Sequence, residues 1–355
     1  MNPTVDKAIH KENSIKLIVE SGFYDELIST MGRSNDVVFL AYIPHEVYSG
    51  MPMLLAVLSF VTLAVLLRST AHSLIVRGLR APRLAHQCIP EHLARQAQSV
   101  RLPVGAGKTL FAWFVPVPGA SRSPAVLLMH GWGANASLML PAVAPLHAAG
   151  YAVLLLDARC HGNSDDEPFT SLPRFAQDIE AGLNWLQLQP AVDGTRLAVI
   201  GHSVGAAAAL LSATRRTDMR AVVSLGAFAH PYEVMRRYLT EFHIPYPVIG
   251  WYVLRHVQRV IGARFDDIAP INTIPQARCP VLLVHGVDDE VVPFNDAQRL
   301  QNAGRAGTVE CVAIRGGHDP SAFSADYQAQ LINFLQRSFL IPQNAPTGTN
   351  APILL

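Results

Sequence analysis

Between about Ser99 and Leu340 the chain alternates short apolar runs with longer helix-like stretches, and few folds accept that rhythm. The runs at residues 110–114, 125–129, 152–156, 197–200, 221–225, 281–284 and 309–314 are too short for helices and too continuously apolar for a sheet with one wet face. Stretches 138–149, 174–188 and 204–214 between them read as helices. The pattern predicts an α/β domain whose mainly parallel sheet, about eight strands wide, is covered by helices on both faces. In such sheets the carboxyl ends of the strands are where sites form, so the residues just after each run carry the functional interest.

After the fourth run stands GHSVG, Gly201 to Gly205, followed at once by an Ala-rich stretch. Strand, tight turn, helix is the setting of a nucleophile elbow, in which two glycines let backbones pass closely and the serine hydroxyl projects from the top of the sheet. Three fixed positions of such common residue types are weak alone, and a packing seam of small residues accounts for them equally well. Other strand ends weigh against the seam. HGWG (His130 to Gly133) follows the second run, HGVDDEVVP the sixth, and GGH, ending at His318, the last.

These residues are the parts that acyl transfer needs. A serine hydroxyl is a poor nucleophile at neutral pH, so a histidine must take its proton during attack and return it to the leaving group. A carboxylate sets the imidazole tautomer and stabilises the imidazolium. Backbone N–H groups must meet the developing oxyanion, and losing one donor typically costs about 3 kcal/mol of barrier stabilisation. Ser203 is the expected nucleophile, His318 the base, Asp289 the acid with Asp288 as fallback, and Val204 and Trp132 the oxyanion amides. His130 and His202, which flank the same turns, are rival bases. Asp157 and Arg159 read as residues that tie down a loop.

Taken in chain order, HGWG, DARCHGNSD, GHSVG, HGVDDEVVP and GGH make the segment 99–340 resemble the α/β-hydrolase superfamily, in its esterase-like and serine-aminopeptidase-like branch. The family pattern G-x-x-D-x-x-V-P, counted from Gly286, puts its acid on Asp289. Where this chain has Cys160, members usually have glycine, a departure that touches a loop rather than the triad. The resemblance implies a serine hydrolase acting through an acyl-enzyme on a small-molecule or lipid-like acyl substrate, with carboxylic esters ahead of thioesters and amides and with no metal or organic cofactor. A catalytically silent scaffold or binding protein that kept the fold is the alternative from another class. The resemblance also implies a cap inserted over residues 228–270, where Phe228, Tyr232, Tyr238, Phe242, Tyr246, Trp251, Tyr252 and Phe265 crowd together with five arginines. Lining of an acyl pocket and simple packing within the cap both account for the aromatics.

One motif misleads. GAGKT, Gly105 to Thr109, ends like a phosphate-binding loop, but the glycine that the full pattern needs is Leu102, and a strand-like stretch rather than a helix follows. It reads as a hairpin turn.

Composition adds one constraint. Charged residues make up only 15% of the 355 residues, where about 25% is typical of soluble domains. One apolar run stands out, MPMLLAVLSFVTLAVLL, Met51 to Leu67, uncharged and just long enough to cross a hydrocarbon core of about 30 Å. It has no polar face, so a globular protein would have to surround it completely. Arg68, Arg77, Arg80 and Arg83 follow closely, while residues 34–50 hold no Lys or Arg, which by the positive-inside rule predicts a single-pass membrane protein with a cytoplasmic catalytic domain. The expected organisation is an extension over 1–46 with one amphipathic stretch at 14–30, an anchor over 47–70, a basic connector over 71–98, the hydrolase domain over 99–340 and a tail over 341–355. A net charge of +1 gives no reason to expect a nucleic-acid partner, and four scattered cysteines without a C-x-x-C pair suggest neither a zinc site nor a disulfide framework.

Overall fold

The computed structural model describes residues 45–91, 95–319 and 325–341. The amphipathic stretch expected at 14–30 lies outside the described residues. A long helix α1 (His45–Gly78) comes first, and its residues 51–67 leave their apolar side chains exposed. Among the described residues eight strands occur, β1 (Gln98–Pro103), β2 (Thr109–Val115), β3 (Ser123–Met129), β4 (Ala152–Leu156), β5 (Val192–His202), β6 (Met219–Leu225), β7 (Val281–Gly286) and β8 (Val309–Ile314). They form one sheet in the order β1-β2-β4-β3-β5-β6-β7-β8. The β1–β2 and β2–β4 pairs are antiparallel and the rest parallel.

Period-two alternation sends side chains to two cores. Ala125, Leu127 and Met129 of β3 enter one, under α3 (Leu172–Gln187) and α4 (Val204–Arg215). Val126 and Leu128 enter the other, under α2 (Val143–Ala148) and α10 (Ala325–Leu340). The remaining helices lie between strands late in the chain. Two, α5 (Pro231–Glu241) and α6 (Trp251–Ile261), occupy the stretch expected as the cap, and two single turns follow, α7 (Phe265–Ile268) and α8 (Pro270–Thr273); α9 (Phe294–Ala303) joins β7 to β8.

Two sequence expectations need correction. Strand β1 has no apolar run to mark it, because an edge strand with one wet face has little apolar content, and of QSVRLP only Leu102 is buried. It pairs with β2 across the GAGKT turn, where Lys108 N–H donates to the Gly105 carbonyl and residues 105–107 all have positive φ. The helix expected over 138–149 is two pieces, a 3₁₀ segment (Ala136–Ala142) and α2. Pro141 and Pro145 remove backbone donors there, which denies the stretch a continuous α ladder.

Residues 79–90 have no regular hydrogen-bonding pattern, yet they are held closely. Leu79 is buried in the first core and its carbonyl accepts from Thr170 N–H at 3.2 Å. Asn135 Nδ2 donates to the carbonyls of Leu84 and Ala85, at 2.9 and 3.1 Å. Arg83 bonds the carbonyls of Gly162 and Ser164 and the Asp166 carboxylate, while His86 Nε2 lies 2.8 Å from Asp157 Oδ2.

Candidate active site

Ser203 joins the last residue of β5 to the first of α4 with φ 53 and ψ −119, a conformation costly for a residue with a Cβ, by about 1–3 kcal/mol. Its N–H is held by the Leu225 carbonyl at 2.8 Å. The two flanking glycines are required by contact. A Cβ on Gly201 would strike the Gly205 carbonyl, and one on Gly205 would strike the carbonyls of Met129 and His130 at the end of β3. The strand can turn into the helix this sharply only where neither position has a side chain.

His318 stands after β8 and Asp289 after β7. His318 Nε2 lies 3.0 Å from Ser203 Oγ, and Nδ1 lies 2.7 Å from Asp289 Oδ2. The other carboxylate oxygen of Asp289 accepts the amides of Val291 and Val292, at 2.9 and 2.8 Å. Asp288 is exposed, and its backbone amide bonds Gly316 at 3.1 Å. The two loops meet because Gly286 packs on the carbonyls of Gly316 and Gly317 with no room for a Cβ. Burial opposes a charge on Asp289, but hydrogen bonds from His285, His318 and the Val292 amide outweigh it and hold the carboxyl well below the usual range. Asp289 is therefore an anion at neutral pH.

The rival histidines are engaged elsewhere. His202 Nε2 donates to the His318 carbonyl at 2.7 Å, and its Nδ1 is buried with no hydrogen-bond partner. Burial, reinforced by the neighbouring His318 ring, brings its pKa down to about 4. His130 is fully buried, with Nδ1 donating to the Gly131 carbonyl at 2.7 Å and Nε2 accepting from Ala158 N–H at 3.0 Å. His161 accepts Gly133 N–H on Nε2 at 3.1 Å while Nδ1 donates to the Arg159 carbonyl at 2.9 Å. Burial lowers the pKa of both.

These two neutral rings bracket Trp132. In a trans peptide the C=O and N–H point in opposite directions, so pinning the Gly131 carbonyl aims the Trp132 N–H the other way. Gly131 itself packs against Ser203 Cβ. The Val204 amide, at the first turn of α4, is one of the N–H groups a helix leaves unpaired and lies at the positive end of its dipole. Asp157 accepts from the amides of Ala136 and Asn163, and Arg159 pairs with Asp178 and Glu167. Both act as loop ties. His161 and His285 stand inside the motifs DARCHGNSD and HGVDDEVVP, with no sequence signal of a role in the site. Nothing local says that one holds an amide and the other faces a carboxylate 3.4 Å away. Among the described residues no cluster suited to a metal ion occurs.

The serine aminopeptidase (S33) family model matches residues 120–259. An uncharacterized protein of Mycobacterium tuberculosis is 31% identical over 194 residues, 55% of this chain and 62% of that protein, so the match spans less than two thirds of that relative. The uncharacterized protein YfhR of Escherichia coli is 28% identical over 70% of this chain and 83% of its own length. Among solved structures, the Pyrococcus furiosus esterase Pf2001 superposes with a TM-score of 0.58 at 21% identity, covering 72% of this chain and 98% of the esterase. The chain thus carries the α/β-hydrolase fold, and its middle is similar to the serine aminopeptidase family.

Proposed function

We propose that the protein is a serine hydrolase that cleaves a carboxylic ester through an acyl-enzyme on Ser203. The observation that carries this reading is the unbroken hydrogen-bond path Ser203–His318–Asp289 across the carboxyl ends of β5, β7 and β8. His318 takes the Ser203 proton as Oγ attacks the acyl carbon and delivers it to the departing alcohol. Water then enters by the same route, giving its proton to His318 and its oxygen to the acyl carbon, and Ser203 recovers its proton. Asp289, anionic throughout, holds Nδ1–H and stabilises the imidazolium. The amides of Val204 and Trp132 meet the oxyanion.

Esterase likeness in the fold, exemplified by the Pyrococcus enzyme, supports esters ahead of amides, and the aromatic cap supports an apolar acyl group. Residues 51–67 anchor the enzyme in a bilayer, with the catalytic domain on the cytoplasmic side as Arg68, Arg77, Arg80 and Arg83 direct.

Labelling with a fluorophosphonate probe tests the chemistry. Wild-type protein is expected to label, and Ser203→Ala and His318→Ala are expected to abolish labelling and turnover of a series of activated esters of increasing chain length. Full turnover by Ser203→Ala would sink the reading. Orientation is tested by protease added to sealed spheroplasts, where digestion of the catalytic domain from outside contradicts it.

A further inference from the structure

Leaving the active site, the part of α1 that follows the apolar stretch meets the cap. Ile75 packs against the first core, and His72 Nδ1 lies 3.0 Å from Nε2 of His256 on α6. Arg68 and Arg259 also act electrostatically on His256, and no carboxylate is among the charges that do so. Neither residues 65–78 nor α6 contains a single Asp or Glu. At 100° per residue, Tyr252 and Arg259 lie within about 60° of His256 around α6. Arg255 and Trp251 continue round the helix beyond Arg259, at about 100° and 140° from His256, with the Arg255 guanidinium 5.5 Å from the Trp251 ring centre. Just before α6 and at its first residue the chain exposes apolar side chains that soluble surfaces normally cover: Phe242 is 74% exposed, Val248 75%, and Ile249 and Trp251 52% each. Of the acids nearby, Glu233 pairs with Arg299 and Asp266 with His230 and Arg264, while Glu241, beside Phe242, and Asp267 are exposed outside the acid-free segments 65–78 and α6.

We infer that this cap face, with Trp251, Ile249, Val248 and Phe242 as apolar inserts and Arg255 and Arg259 as headgroup ligands, docks on the anionic surface of the bilayer that α1 enters. The inference rests on the anchor reading above. If residues 51–67 span the hydrocarbon, His72 follows one to two turns later at about 1.5 Å per residue, and its partner α6 is then at headgroup depth. The acid-free cations of residues 65–78 and α6 suit anionic lipid, and exposed aromatic and aliphatic residues beside arginines are the composition of interfacial segments. Docking would hold the cap, and hence the proposed acyl site, at the membrane surface, where lipid-like esters are found.

The full chain is reconstituted in vesicles of phosphatidylcholine with or without phosphatidylglycerol, with a spin label at Ile249→Cys or at Leu58→Cys in a Cys88→Ser, Cys311→Ser background. Accessibility to oxygen, which partitions into lipid, is compared with accessibility to a water-soluble nickel chelate. Both labels are expected to favour oxygen in vesicles containing phosphatidylglycerol. Arg255→Glu with Arg259→Glu is expected to lower the ratio at position 249 by about threefold or more, leaving position 58 and hydrolysis of a soluble activated ester unchanged. A lipid-exposed label at 58 with a water-exposed label at 249 overturns the docking and leaves the anchor standing. A water-exposed label at 58 overturns both. Equal immersion of 249 without phosphatidylglycerol, insensitive to charge reversal, overturns the anionic-headgroup recognition.

Discussion

The carboxyl edge of the sheet and the cap inserted between β6 and β7 are built in opposite ways. At the edge nearly every polar group is paired, glycines stand where a Cβ would strike backbone, and neutral imidazoles hold single peptide units in place. The cap is tied down by a few contacts, such as Arg237 to the Val291 carbonyl and Glu233 to Arg299, and presents large apolar residues outward. A site that must place donors to within a fraction of an ångström needs rigidity. A surface that meets a lipid layer or an acyl chain needs area and tolerance. Substitutions should therefore cost activity steeply at the edge and little in the cap.

After Ser203 and His318 themselves, the largest effect is expected at Asp289. Asp289→Asn should lower kcat for an activated ester by about 10⁴-fold, since the amide no longer enforces the imidazole tautomer. Its exposed neighbour, changed as Asp288→Asn, should stay within about twofold. Equal losses at the two positions would break the contrast between a paired and a solvated carboxylate. Next comes the loop that bears Trp132. His161→Ala frees the Gly133 amide and should lower kcat by about 10- to 100-fold with little change in KM, because an oxyanion donor acts in the transition state. Loss confined to KM would argue that the loop serves substrate binding instead.

Acid titration sharpens the comparison for stability. His202 titrates near 4 in the folded chain and near 6.5 when unfolded, so below pH 6.5 the unfolded state binds more protons and stability falls with falling pH. The 2.5-unit difference corresponds to about 3 kcal/mol, lost progressively between pH 6.5 and 4. His202→Asn should flatten the pH dependence of the denaturation midpoint in that window. An unchanged slope would mean the imidazole is hydrated rather than buried.

The smallest effects lie at Cys160 and on the cap surface. Cys160 takes φ 65 while Sγ contacts the Glu167 backbone, so Cys160→Gly relieves strain and removes contacts, for a net change within about 1 kcal/mol. Phe242→Ser should alter thermal stability by no more than about 0.5 kcal/mol, because the ring is exposed. A larger loss would show that the cap packs more firmly than its exposure indicates.

The sequence by itself determined what short-range sterics and periodicity control. Continuous apolar runs flanked by turns mark the buried strands, and Gly201 and Gly205 around Ser203 mark the sharp turn, because the clashes they avoid arise within a few residues or from the adjacent strand end. Expected order along the chain also placed a histidine and a pair of aspartates at strand ends. The family pattern favours Asp289 over Asp288, but only the tertiary structure brings its carboxylate to His318, through the packing of Gly286 on residues 316–317. Contacts of the loop at 158–161 with that at 130–133 likewise turn His130 and His161 into holders of backbone. Likewise, nothing in residues 79–90 announces that they would be fastened over the loop at 157–166. Such choices depend on elements brought together from distant parts of the chain, and single-residue chemistry is the same on either side of the choice.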